Sequence, residues 1–136
     1  MVRYLLDSNI VFAMFMDRND VTGIRRKISD RIDECAISEI TLAETYTGCY
    51  MKGSGDTSPE AEFLKMNFNV IQVSSADGRV LKAFGREKAA LARQGAKIPD
   101  LDVLIACTAL ENGLICVTHD REHFSRIRGL ETEDWL

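Results

Sequence analysis

Short apolar runs alternate with helix-period segments from one end of this chain to the other. Arg3–Leu6, Cys35–Ile37, Asn69–Val73 and Ile115–Val117 are brief, apolar and bounded by polar or turn residues, which predicts strands. The segments between them carry helical patterns. Asn9–Met16 is followed by the turn-like Asp17-Arg18-Asn19-Asp20, and Thr22–Ile32 is amphipathic with a basic patch at Arg25, Arg26 and Lys27. Ser38 is placed to cap a helix reaching about Met51, and Ser58 to cap one reaching about Asn67 with Pro59 at its first position. Ser75 is placed to cap a long helix to about Gln94, and Pro99-Asp100 opens a helix that ends near Gly113. Strands separated by helices predict the α/β class, with a central parallel sheet flanked by helices on both faces. Lys52–Ser58 is the one loose stretch and reads as a loop, so residues 1–136 form a single domain.

Acidic residues break this pattern where apolar ones belong. Asp7 ends the run "YLL", and Asp120 closes "CVTHD". Glu44 shares a helical face with Ile40, Ala43, Thr47 and Met51, a spacing that predicts a buried stripe. Asp102 shares one with Ile105, Ala106 and Ala109, on a helix apolar nearly all round. A charge in apolar surroundings is costly unless paired. These four acids have no matching buried base, which points to a divalent cation with oxygen ligands. Asp120 and Asp100 could each simply cap a following helix. Glu44 and Asp102 lie inside helices, where capping is unavailable. Asp7 and Asp120 also stand at strand ends, where α/β folds gather their sites. Carboxylates with waters suit Mg²⁺ or Mn²⁺, and such sites activate water for in-line displacement at a phosphodiester.

Composition narrows the setting. At 136 residues, 46% hydrophobic and 28% charged, the chain fits an ordinary globular protein. No apolar run approaches a membrane span and the start lacks a signal-peptide layout, so a cytoplasmic protein is expected. Cys35, Cys49, Cys107 and Cys116 have no C-x-x-C spacing and read as reduced core thiols. A net charge of −4 argues against wholesale coating by nucleic acid but leaves room for a local basic surface. Arg79, Lys82, Arg86 and Arg93 share one face of the long helix, with Val80, Phe84 and Leu91 turned away. Lys82, Arg86 and Arg93 are therefore candidate contacts for nucleic-acid phosphates, and a merely solvated face accounts for them equally well. The first helix holds more Met and Phe than a core needs, which suggests core packing or a partner groove near Phe12, Met14 and Phe15. His119 and His123 beside Cys116 suggest zinc only superficially, because no fourth ligand is apparent. No phosphate-loop, dinucleotide or nucleophile-elbow motif is present.

Taken in order, "YLLDSNI", "ISEITLAE", "IPDLDVLIACTALENGLICVTHDREHF" and "GLETEDW" resemble PIN-domain ribonucleases, and within them the VapC-type toxins of bacterial toxin–antitoxin pairs. The resemblance covers nearly the whole chain. It implies that Asp7, Glu44, Asp102 and Asp120 hold one or two Mg²⁺ or Mn²⁺ ions, with Asn9 and Thr118 in support. It also implies a dimer, an antitoxin partner, and cleavage of single-stranded RNA by a metal-activated water, leaving 5′-phosphate and 3′-hydroxyl ends. Asp120 stands where many members carry Asn, and Ser8 where Thr is commoner. Asp100 is an extra acid, either supporting the ligands or capping. The alternative expectation is a catalytically inactive PIN-like scaffold that binds RNA or protein, although such members typically lose one or more acids.

Overall fold

A strand as short as Tyr4–Leu6 is stable only when flanked, and the computed structural model, which describes residues 1–136, flanks it on both sides. The chain runs β1 (Tyr4–Leu6), α1 (Ser8–Met16), α2 (Ile24–Ser29), a 3₁₀ turn (Ile32–Glu34), β2 (Cys35–Ser38), α3 (Glu39–Met51) and α4 (Pro59–Asn67). It continues through β3 (Asn69–Ile71), α5 (Arg79–Arg93), α6 (Asp100–Glu111), β4 (Ile115–Val117), α7 (Arg121–Phe124) and β5 (Thr132–Glu133). The five strands form one sheet in the order β3-β2-β1-β4-β5, and every pairing is parallel.

Strand alternation splits the core into two layers. Leu5, Ala36 and Cys116 lie in register and face a cluster built on α5 and α6. Tyr4, Leu6, Cys35, Ile37 and Val117 face the opposite way, against α1, α2 and α4. Both faces are thus covered, which is why these strands read as continuous apolar runs. The C-terminal residues complete the second layer: Trp135 packs edge-on to Tyr4 at 4.9 Å between centroids. The four cysteines are buried free thiols, and burial pushes Cys35 and Cys107 up to about 12, as expected of core residues. No helix is long and apolar enough to cross a membrane.

Several expectations shift in detail. The long helix starts at Arg79 rather than after Ser75: Ser75 Oγ donates to Asp77 Oδ1, and Gly78 enters the helix from a left-handed conformation at φ 66°. Asp77, not Ser75, then accepts the Arg79 N–H. The expected Thr22–Ile32 helix shrinks to α2, because Thr22 is drawn back to Asp17 through its N–H and hydroxyl and Gly23 turns left-handed. The third strand stops at Ile71 rather than Val73, and the short β5 was not anticipated. The buried stripe of α3 is also off by one position. Thr41, Thr45 and Cys49 face the core, whereas Ala43, Thr47 and Met51, 83% exposed, face solvent. Thr45 donates its hydroxyl to the Thr41 carbonyl at 2.7 Å, so a polar stripe can be buried without an orphaned group.

The sheet order has one functional consequence. From β1 the chain steps to β2 and β3 on one side, then returns to add β4 and β5 on the other. The crevice at that reversal lies past the carboxyl ends of β1 and β4, where open α/β sheets place their ligands.

Candidate metal centre

Asp7 leaves the end of β1 and becomes the N-cap of α1, accepting the Ser8 N–H at 2.8 Å on Oδ1. Its Oδ2 accepts the Thr118 hydroxyl at 2.9 Å from the end of β4. The side of the crevice formed by β1 and β4 is therefore closed by one hydrogen bond between the two expected positions. Asp7 is only 4% exposed, and burial pushes its carboxyl up to about 6. The two hydrogen bonds oppose that rise, while the Asp102 and Glu44 carboxylates add to it.

Glu44 arrives from the second turn of a helix that Ser38 caps through the Ile40 N–H. Its Oε1 accepts the Ser8 hydroxyl at 2.7 Å, and Ser8 Oγ in turn lies 2.9 Å from Thr41 Oγ1. The sequence marks Ser8 only as a departure from the commoner Thr, which would place the same hydroxyl there, and gives no role to Thr41. Asp102 stands in the first turn of α6, half-buried, on the face carrying the buried Ile105, Ala106 and Ala109. Burial raises its carboxyl above the usual range; Asp120 and Glu44 raise it further, and the His123 imidazole opposes them. Asp120 caps α7 through the His123 N–H at 3.3 Å, and its own N–H donates to Thr118 Oγ1 at 3.0 Å. Capping and membership of the acid cluster therefore coexist in Asp120, and in Asp7.

The cluster contains one residue that the sequence had set aside. His123 Nδ1 lies 2.7 Å from Asp120 Oδ2 and 3.7 Å from Asp102 Oδ2. Asp102, Asp120 and His123 offer donor atoms all within 4.8 Å of one another. His119 points elsewhere, to Asp134 at 2.9 Å. The Nδ1 atom of His123 is buried, yet neither carboxylate meets it in hydrogen-bonding geometry. An orphaned nitrogen among carboxylate oxygens is an arrangement that a cation completes, so the donor set fits a divalent metal.

The other candidates separate from this centre. Asn9 is exposed on the first turn of α1 and makes no side-chain hydrogen bond. Thr118 is fully buried and central, as described. Asp100 does not cap: Pro99 holds that position, and the exposed Asp100 carboxylate pairs with Lys88 Nζ instead. Lys82 and Arg93 are exposed and free of ion pairs, whereas Arg86 is held by Glu87 at 3.3 Å and Glu111 at 3.8 Å. On the opposite layer, Met14, Phe15, Ile28, Ile32, Phe63 and Phe68 line an apolar groove of about 490 Å³. Met14 is itself buried, so Phe15 and Phe63, in edge contact at 5.9 Å, form its accessible wall. Phe12 lies in a neighbouring cleft that reaches Glu44.

Comparison with known proteins agrees with this architecture. A PIN domain profile matches residues 4–130. The tRNA(fMet)-specific endonuclease VapC of Shigella flexneri is 32% identical over 137 residues, covering 99% of each chain. Ribonuclease VapC2 of Haemophilus influenzae is 29% identical over the full length of both. Among solved structures, VapBC2 of Rickettsia felis bound to a promoter DNA fragment superposes with a TM-score of 0.82 at 25% identity, covering both chains fully. DNA-bound VapBC of Salmonella typhimurium gives 0.78 at 27% identity, again over 100% of each chain.

Proposed function

The chain belongs to the PIN-domain family, in its VapC branch, and from that premise we propose a divalent-metal-dependent endoribonuclease, the toxin of a toxin–antitoxin pair acting in the cytoplasm. One observation carries the proposal. Asp102 and Asp120 stand with His123 Nδ1 within 4.8 Å of one another past the end of β4, Asp7 and Glu44 lie near enough for their charges to act on Asp102 or on each other, and Asp7 is held at about 6 chiefly by burial. Such repulsion is retained in a fold when a ligand relieves it.

Asp7, Glu44, Asp102 and Asp120 would hold Mg²⁺ or Mn²⁺. When bound, the ion supplies a Lewis acid for the phosphodiester and a water acidic enough to attack it. The chain's own residues do the rest. Thr118 and the Ser8 N–H fix both oxygens of Asp7, so its carboxylate is oriented before any ligand arrives. The Ser8 hydroxyl does the same for Glu44. Lys82 and Arg93, unencumbered by acids, take RNA phosphates leading to the crevice, and Arg86 contributes less because Glu87 and Glu111 already engage it. No side chain serves as nucleophile, and the products carry 5′-phosphate and 3′-hydroxyl ends. The inactive-scaffold alternative loses ground because none of the four acids has been replaced.

The antitoxin's apolar segment occupies the groove beside Phe15 and Phe63, and two copies of the chain form a dimer. Structural relatives with VapB partners support the first point. Co-expression with the neighbouring small reading frame and mass measurement of the purified species test both. The activity test uses EDTA-treated protein, single-stranded RNA and tRNA(fMet), with Mg²⁺ or Mn²⁺ added back. Cleavage only with metal is expected. Neither cleavage nor thermal stabilisation by either ion would favour the scaffold.

A further inference from the structure

The orphaned nitrogen of His123 carries the inference furthest. We infer that His123 Nδ1 is a nitrogen ligand of the cation held by Asp102 and Asp120, and that it biases the centre toward Mn²⁺ over Mg²⁺. The inference rests on the metal reading above and extends it to a residue outside the acid set. Nδ1 stands 2.7 Å from Asp120 Oδ2 and 3.7 Å from Asp102 Oδ2, with no hydrogen bond of its own. A buried nitrogen left without a partner is destabilising. A ring nitrogen placed within 4.8 Å of both carboxylate donors and left without a partner is positioned to bind what the carboxylates bind.

The backbone holds the ring in place. The His123 N–H donates to Asp120 Oδ1 at 3.3 Å, so the acid and the imidazole are one turn apart and linked. Phe124 next to it is 1% exposed and anchors α7 in the core beside α6, which carries Asp102. The chemistry then discriminates between ions. Mg²⁺ demands oxygen ligands in near-ideal octahedral geometry and sheds water reluctantly, whereas imidazole suits the later divalent metals. His119, bonded to Asp134, provides an internal control.

The test compares the wild-type chain with His123→Gln and His119→Gln, free of RNA. Pulsed electron paramagnetic resonance on bound Mn²⁺ should show imidazole ¹⁴N coupling in wild type and His119→Gln, and none in His123→Gln. Competition titrations should show Mn²⁺ affinity falling about tenfold or more in His123→Gln, as loss of a ligating or ligand-orienting group does, with Mg²⁺ affinity nearly unchanged. Mn²⁺ bound in wild type without ¹⁴N coupling would overturn the inference and leave the carboxylate centre standing. So would coupling that persists in His123→Gln, or an equal loss of both ions. A wild-type chain that binds neither ion would overturn the metal reading itself. Circular dichroism of each variant separates these outcomes from misfolding.

Discussion

Asp7→Asn should make the metal-free protein more stable, and the amount follows from the geometry. The carboxyl rises from 3.8 to about 6 on folding, chiefly because burial penalises its charge. A shift of about two units corresponds to roughly 3 kcal/mol of destabilisation once the group is ionised. The sign is fixed by linkage. A carboxyl whose folded value is raised binds more proton in the native state, so stability falls as pH climbs from about 3.8 to about 6 and stays reduced above. Below the lower value the penalty is absent. Asn removes the charge and keeps the contacts: its Oδ1 can accept the Ser8 N–H while Nδ2 donates to Thr118 Oγ1, which retains a lone pair beside the Asp120 N–H.

In EDTA at pH 8, Asp7→Asn should therefore melt higher than wild type, by up to about 15 °C if each kcal/mol moves a domain of this size by roughly 3–5 °C. The gap should narrow through pH 6 and close near pH 4. Adding Mn²⁺ should raise the wild-type melting temperature and move the variant far less. The assay is a set of melting curves across pH 4–8 with and without metal. A variant less stable than wild type at pH 8, or a gap that ignores pH, would refute the argument that Asp7 is a strained carboxylate awaiting a cation.

Asp102→Asn should abolish metal-dependent RNA cleavage while leaving apo stability unchanged or slightly higher, because its carboxyl is also raised by burial; a cleaving variant, or a loss of about 3–5 kcal/mol as for a broken buried ion pair, would oppose this. Thr118→Val removes the hydroxyl that lowers Asp7, so the rising limb of the pH–cleavage profile should move to higher pH; an unmoved limb would detach Thr118 from Asp7. Lys82→Ala and Arg93→Ala should each flatten the salt dependence of RNA binding by about one phosphate contact, with Arg86→Ala smaller; equal slopes in all variants would return the face to solvent. Phe63→Asp should release the co-purified antitoxin without unfolding the chain, since Phe63 is exposed; retention of the partner would move its site elsewhere.

The layered fold was legible because the strands are short, apolar and spaced by helical patterns, and because both sheet faces are buried. The helix α6 face was legible for the same reason: Ile105, Ala106 and Ala109 are apolar and point inward with Asp102 at their edge. Helix α3 misled because its buried stripe is Thr41, Thr45 and Cys49: Thr45 bonds its own helix and Thr41 pairs with Ser8 Oγ, while the apolar Ala43 and Met51 face water. Polarity alone cannot report a hydroxyl that bonds its own helix. His123 was missed on different grounds. In sequence His123 pairs most obviously with His119, yet spacing of four does not align them, since His119 precedes α7 and turns to Asp134. Asp120 with His123 three residues on, across the start of a helix, was the available signal.

Three helix starts face the acid cluster, which explains how four carboxylates share a crevice before any cation arrives. Asp7 caps α1, Asp102 lies in the first turn of α6, and Asp120 caps α7. Each places a negative charge where backbone N–H groups are unsatisfied and the helix dipole is positive, an effect typically of about 0.3–1 kcal/mol per site. Those contributions fall short of the roughly 3 kcal/mol by which burial opposes an ionised Asp7. Capping therefore makes the cluster tolerable without neutralising it. In the proposed function, a divalent ion would remove this residual cost on binding, so the capping roles and the proposed ligand roles of these acids would depend on one another. A cap buried to 4% exposure at the end of a central strand is the position at which the proposed cation would offset the largest burial cost in the cluster.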